Sequence, residues 1–297
     1  MSQLQILYVA FGYTYLVQAI NSVRTLRNSG TDASVKLITN LPVKDVYLNH
    51  TKLFDDIVRV QSDDEDNRFT KIDMFDYADG DSSLFIDCDT EVFSPLHGIV
   101  PVLRSFDLAV RSLPFTAKRT YKLLDTDSTS VPVSEFNTGV IAFSKSKASK
   151  LFFEGWRKNF LEMPFSHDQP SFLRTMFETE VRVFPLSVGW NATPWGFVDL
   201  HFVRTNKRDI RVLHYRDPDY WPEAGPNLAL VHKEAVIEFS LRDDVLSREI
   251  AYFDALARHY RRWHFQYPLG RRLAAWKMKR SGSQLRIPGK RRLRESE

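Results

Sequence analysis

The apolar segment Leu84-Phe85-Ile86 runs directly into Asp87-Cys88-Asp89. Side chains alternate faces along a strand, so Asp87 and Asp89 are expected to point one way and Cys88 the other. Two carboxylates on one face at a strand end repel each other. A divalent cation relieves that repulsion, and hard oxygen ligands suit Mn2+ or Mg2+. A diphosphate is the natural third party, because the metal would neutralise its charge as well.

The segments before this one set the fold class. Gln5–Ala10 reads as a buried strand. Tyr13–Arg27 has helical periodicity, with Leu16, Ala19, Ile20, Val23 and Leu26 on one stripe and Gly30 as a stop. Val35–Thr39 and Ile57–Val60 read as strands, Asp66–Asp76 as a short helix, and Ser83–Asp87 as the fourth strand. Strands that alternate with helices predict an open α/β sheet. Ligands of such sheets gather beyond the carboxyl ends of the strands. Asp87 and Asp89 sit at one such end, and Ala10-Phe11-Gly12 at another.

Later segments extend the pattern. Asp107–Val110 is predicted as a strand and Pro114–Val133 as a polar loop. Phe136–Phe143 is predicted as a strand entered through a glycine turn. Lys147–Leu161 is an amphipathic helix burying Leu151, Phe152, Trp156 and Phe160. Another helix opens after His167-Asp168-Gln169-Pro170, with Pro170 at an early helical position. Val181–Leu186 and Ile210–Leu213 read as short strands, and a helix around Val245–Tyr260 closes the body.

Composition narrows the class. The 297 residues are 43% hydrophobic, enough for a packed core. Cys88 is the single cysteine, so no intrachain disulfide can form, and a cytoplasmic location is expected. The first residues lack a basic segment ahead of their apolar stretch and read as a strand, not a secretory signal. No run of 18 apolar residues exists, so no membrane-spanning helix is expected. Charge is unevenly spread. Residues 258–297 hold 13 Lys and Arg against 2 acidic residues, a net +11, while residues 1–257 carry −7. The expected division is therefore a domain over 1–257 and a basic, aromatic tail over 258–297.

Four motifs in this order, IDCDTEV at 86–92, FNTGVIAF at 136–143, HDQ at 167–169 and VLHY at 212–215, resemble those of the GT-A fold glycosyltransferases, glycosyltransferase family 8 in particular. That family includes glycogenin and the bacterial lipopolysaccharide galactosyltransferases. The resemblance spans roughly residues 5 to 221. It implies a mixed, mainly parallel sheet flanked by helices and a metal-dependent transfer of a hexose from a nucleoside diphosphate sugar, a UDP-sugar by family habit, with retention. The sequence departs from the family twice. Arg216–Pro222 replaces the Gly and Lys-Pro-Trp that often follow the late His-Tyr. Phe11-Gly12 stands where a polar residue often reads the base.

The resemblance also implies roles. Asp87 and Asp89 bridge Mn2+ (or Mg2+) to the diphosphate, with His214 as third ligand and His232 in reserve. Tyr15 packs on the base beside Ala10, Phe11 and Gly12. Arg68 and Lys71 lie one helical turn apart and face the donor phosphates. Asp63, Asp64 or Asp66 bonds the base. Cys88 lies within the donor-binding segment, as an inward-packed small residue. Asn137 lies at the sugar, Asp168 on the sugar hydroxyls, and Gln169 beside the anomeric carbon. Asp168 and Gln169 can equally cap their helix. Trp190, Asn191 and Trp195 form an acceptor edge or pack in the core.

The acceptor is expected to be a saccharide, glycolipid or protein. Basic residues interleaved with Trp263, Phe265, Tyr267 and Trp276 suit an anionic membrane surface, which gives peripheral association. A nucleic-acid partner is the weaker reading of that charge. Two rival functions fit the residues less well. A haloacid-dehalogenase-type phosphatase needs Thr or Val where Glu91 stands, and a late Gly-Asp acidic pair that is missing. An inactive nucleotide-sugar-binding protein is opposed by the intact Asp87, Asp89, Asp168 and Gln169.

Overall fold

The computed structural model describes residues 4–42, 53–61, 68–116, 134–163, 168–193 and 209–214. In chain order these form β1 (Leu4–Ala10), α1 (Gly12–Asn28), β2 (Ser34–Thr39), β3 (Asp56–Arg59), α2 (Arg68–Ile72), α3 (Met74–Tyr77), β4 (Ser82–Ile86) and β5 (Thr90–Val92). There follow α4 (Val100–Leu103), β6 (Leu108–Thr116), β7 (Ser134–Ser144), α5 (Lys147–Glu162), α6 (Gln169–Glu178), β8 (Val183–Pro185) and β9 (Val212–His214).

Seven strands form one sheet in the order β3-β2-β1-β4-β7-β6-β8. Within it β7 alone is antiparallel to its neighbours β4 and β6; every other pairing is parallel. The expected mixed, mainly parallel α/β sheet is thus present. β5 and β9 make a separate antiparallel pair with Thr90 opposite His214. From β1 the chain steps to β2 and β3 on one side and returns to β4 on the other. The carboxyl ends of β1 and β4 therefore flank the reversal point of the strand order, where α/β sheets open a crevice.

Burial explains the order. β1 and β4 are buried along their full lengths, as strands covered on both faces must be. Leu16, Ala19, Val23 and Leu26 of α1 face inward, with Ile20 half-buried. Gly30 adopts φ 78°, a conformation that favours glycine, just past the end of this helix. Phe152, Phe153, Trp156 and Phe160 of α5 pack with Phe172 of α6 over Ile141 and Phe143 of β7. Trp156 and Phe172 meet edge to face at 4.9 Å.

Some expectations need correction. Leu151 is 52% exposed, and Phe153 takes the inward position instead. The helix expected over Asp66–Asp76 is two short helices interrupted at Asp73, with 66 and 67 outside the described residues. Gly139 does not form a turn before its strand. It lies within β7, whose ladder to β4 starts at the next residue, Val140 opposite Ile86. Residues 114–116 continue β6, so the predicted loop starts later; 117–133 lie outside the described residues. The same holds for Asp63, Asp64, Asp66, His167, Trp195, His232, the helix around 245–260 and the whole of 258–297.

Candidate functional site

β4 ends at Ile86, and Asp87, Cys88 and Asp89 form the bend that leads to β5. The backbone fixes this bend from several sides. The Asp87 N–H donates to the Gly139 carbonyl at 2.8 Å, extending the β4–β7 ladder by one bond. The Thr90 hydroxyl donates to the Asp87 carbonyl at 2.8 Å. Ser22 of α1 bonds Thr90 at 2.7 Å, and Tyr8 of β1 bonds Ser22 at 2.9 Å. A buried line of hydroxyls thus ties the acidic bend to the first strand and helix. The Cys88 thiol donates to the Val9 carbonyl of β1 at 3.2 Å. Burial pushes that thiol well up, so it is a packed residue and not a nucleophile.

β9 brings His214 to the two aspartates. Its Nε2 lies 3.2 Å from Asp89 Oδ1 and 3.8 Å from Asp87 Oδ2. One ligand atom from each of Asp87, Asp89 and His214 falls within 4.8 Å of the others. Two carboxylate oxygens and an imidazole nitrogen are a donor set for Mn2+ or Mg2+. Gly139 leaves the room that this convergence uses, since a side chain there would meet both His214 and Asp87. The residues therefore fit a divalent cation.

On the other side of Asp87 stands Lys71, the fourth residue of α2. Its ammonium lies 3.3 Å from Asp87 Oδ1, 3.1 Å from Asp168 Oδ2 and 3.4 Å from Thr138 Oγ1. The Thr138 hydroxyl in turn donates to Asp168 at 2.9 Å. Burial disfavours the charge on Lys71, but Asp168 and Asp87 outweigh it and its pKa is pushed up to about 12. Burial likewise opposes ionisation of Asp168, but Lys71 and Thr138 win and hold it below the ordinary aspartate range. Burial prevails at Asp87, whose pKa is raised despite Lys71 and His214. Burial also works against a charged His214, yet Asp89 and Asp87 raise its pKa. Among the described residues, Asp87, Asp89 and Asp168 thus gather around Lys71 and His214.

Other predicted residues lie as follows. Asn137 is buried in β7, and its side-chain oxygen accepts the Gly139 N–H at 3.0 Å. Gln169 opens α6, half-buried, directly after Asp168. Asp168 makes no side-chain cap for that helix, since its carboxylate is engaged with Lys71 and Thr138. Trp156 donates its indole N–H to the Asp168 carbonyl at 3.2 Å and anchors the start of α6 from the core. Ala10 and Phe11 are buried, Phe11 within the main apolar cluster, so only their backbones can meet a ligand. Gly12 has φ 72° with open space around its α-carbon, and its N–H donates to Asn40 Oδ1 at 3.0 Å. Tyr15 is 44% exposed; partial burial and then the charge of Asp89 raise its pKa. Arg68 opens α2 one turn before Lys71. Trp190 stacks under the Arg211 guanidinium at 5.1 Å.

The sequence reading missed two features. It directed Lys71 at phosphates and did not pair it with Asp168, 97 positions away. It gave Asn191 to an acceptor edge or to the core and did not pair it with His214; the structure buries Asn191 and places its side chain 3.0 Å from that histidine. Neither contact leaves a local trace, because each joins segments far apart in the chain.

No protein-family model and no curated protein matches this sequence. Solved structures do match. WbbM, a bifunctional glycosyltransferase, aligns at a TM-score of 0.54 and 15% identity, over 78% of this chain and 51% of its own. The glycosyltransferase GlyE of Streptococcus pneumoniae aligns at 0.51 and 15%, over 79% and 63%. The galactosyltransferase LgtC, solved with donor and acceptor sugar analogues, aligns at 0.51 and 16%, over 81% and 98%. The chain spans about half of WbbM and under two thirds of GlyE. At these identities the likeness establishes the fold, which is the GT-A type α/β architecture found in glycosyltransferases.

Proposed function

We propose that this chain is a metal-dependent glycosyltransferase that moves a hexose from a nucleoside diphosphate sugar, a UDP-sugar in the reading favoured here, to an acceptor hydroxyl. The observation that carries this reading is the convergence of Asp87, Asp89 and His214 beyond the carboxyl end of β4, at the reversal point of a GT-A sheet.

Asp87, Asp89 and His214 would hold Mn2+ or Mg2+, which when bound neutralises the charge that develops on the departing diphosphate. Arg68 opens the helix that carries Lys71 and would add positive charge beside the phosphates. Lys71 keeps Asp168 ionised and hydrogen-bonded, so that Asp168 can orient sugar hydroxyls and is not free to attack. Asn137 of β7 and Gln169 of α6 would line the sugar side of the site. Tyr15, part-exposed beside the acidic bend, offers a face for the base, and the backbone of Ala10–Gly12 lines the same end of β1.

With Asp168 committed to Lys71 and Thr138, we favour front-face attack with retention. The acceptor proton then passes to the departing phosphate oxygen, and the Gln169 carbonyl faces the oxocarbenium-like carbon. The acceptor is a saccharide, a glycolipid or a protein. The +11 tail would hold the enzyme against an anionic membrane.

The test is release of nucleoside diphosphate from a panel of UDP- and GDP-sugars, with Mn2+ or with chelator. Metal-dependent release from at least one donor, lost in Asp89→Ala, is the expected result. No release from any donor by folded protein refutes the proposal. If Gln169→Ala retains most of its turnover while Asp89→Ala loses it, the role given to Gln169 is wrong.

A further inference from the structure

Asn191 is fully buried and closes the short 3-10 turn Val188–Trp190. Its side chain lies between two groups. Nδ2 donates to the Asn137 carbonyl at 3.3 Å, and Oδ1 stands 3.0 Å from His214 Nδ1. A backbone carbonyl only accepts, so the amide nitrogen belongs on its side. The amide oxygen then faces the ring, and it too only accepts. Nδ1 must therefore carry the hydrogen. Nε2 is left to face Asp89 Oδ1 at 3.2 Å and Asp87 Oδ2 at 3.8 Å. A bare nitrogen there would oppose two carboxylates, so only a proton or a metal cation satisfies that side.

We infer that Asn191 is a positioning residue of the metal centre, which fixes His214 in its Nδ1–H form and presents Nε2 to the cation shared by Asp87 and Asp89. The inference rests on the metal reading above and assigns Asn191 a role away from the acceptor.

The surroundings of Asn191 hold it to that task. Arg111 of β6 is buried, and its Nη1 donates to the Asn191 backbone carbonyl at 2.5 Å and to Thr193 Oγ1 at 3.3 Å. The next residue is laced to β9 on both sides of His214's neighbour Leu213. The Ala192 N–H donates to Val212 at 2.9 Å, and the His214 N–H donates to the Ala192 carbonyl at 2.8 Å. The amide and the ring are thus fixed by one set of backbone bonds. Partners of this kind set both the tautomer and the orientation of a metal-ligating histidine.

The test uses the full chain with 15N-labelled histidine. In wild type loaded with diamagnetic Mg2+, long-range 1H–15N spectra should show the His214 proton on Nδ1, where Asn191 accepts it. Asn191→Leu should move the proton toward Nε2 and weaken Mn2+ binding about 10–100-fold in a calorimetric titration. Asn191→Asp keeps an acceptor against Nδ1 and should retain the Nδ1–H form. A proton on Nε2 in Mg2+-loaded wild type overturns the inference even if no variant folds. So does Asn191→Leu that folds and binds Mn2+ as wild type does. Wild type that takes up no Mn2+ overturns the metal reading itself, a failure distinct from a misplaced proton.

Discussion

A β-carbon placed on Gly139 would fall 2.2 Å from His214 Cε1 and 2.9 Å from Asp87 Oδ2. Real contacts never come so close, and neither neighbour can retreat easily. The ring is fixed through Nδ1 by Asn191, and the Asp87 backbone is bonded to Gly139 itself. Glycine is required here for space and not for a turn. Gly139→Ala should destabilise the fold by about 1–3 kcal/mol, in the range of overpacking. It should also weaken Mn2+ affinity more than tenfold, because the methyl separates two proposed ligands. Denaturant unfolding and metal titration on the same protein check both effects. Unchanged metal affinity would show that His214 and Asp87 do not act together.

Lys71 bridges buried Asp168 and half-buried Asp87, so its removal leaves both without this cation. Lys71→Met should cost about 3–5 kcal/mol, as for a broken buried ion pair. Lys71→Arg should recover only part of this, since the planar guanidinium is larger than the compact ammonium it replaces. Urea unfolding midpoints measure both. If Lys71→Met is as stable as wild type, the Asp87–Lys71–Asp168 cluster is not a structural unit.

The start of β6 gives a separate prediction about pH. Asp107 accepts bonds from the Arg182 backbone N–H and Nε, both at 3.0 Å, and from the Ser146 hydroxyl at 2.9 Å. Burial opposes its charge, but the Arg182 and Ser146 bonds prevail and lower its pKa. A lowered carboxylate pKa contributes stability above the unfolded value of about 3.9, and that stability is lost as pH falls through the folded value. Asp107→Asn should therefore be less stable than wild type near neutrality, and the gap should close below about pH 3.9. A gap that stays constant across the acid range would contradict the assignment.

How much of this was legible beforehand depended on range. The acidic bend, the strand before it and His214 all carry local signals: an apolar run, a D-x-D, and a histidine closing a short strand. The face of α5 was nearly legible, but Leu151 and Phe153 both fit a helical stripe and only packing against Phe75, Phe143 and Phe152 chose between them. Asn137-Thr138-Gly139 carries turn chemistry, yet the segment is a strand, because pairing with β4 and β6 overrides local preference. The Lys71–Asp168 and Asn191–His214 contacts were invisible for the same reason. They depend on which strands become neighbours, not on which residues are adjacent in the chain.

The basic tail makes a prediction independent of the site. Residues 258–297 carry a net +11 and interleaved aromatics. The full chain should sediment with vesicles rich in phosphatidylserine and not with neutral ones, and 0.5 M salt, roughly, should release it, since screening lengths then fall well below 10 Å. A chain ending at 257 should remain in the supernatant. Equal sedimentation of both forms would assign membrane contact to the body or to neither part.

The most direct test of the central claim is calorimetric titration of UDP into wild type and Asp89→Asn, each with Mn2+ and with chelator. The account predicts binding by wild type only when Mn2+ is present and at least tenfold weaker binding by the variant. UDP bound equally well with chelator, or equally by folded Asp89→Asn, would contradict it.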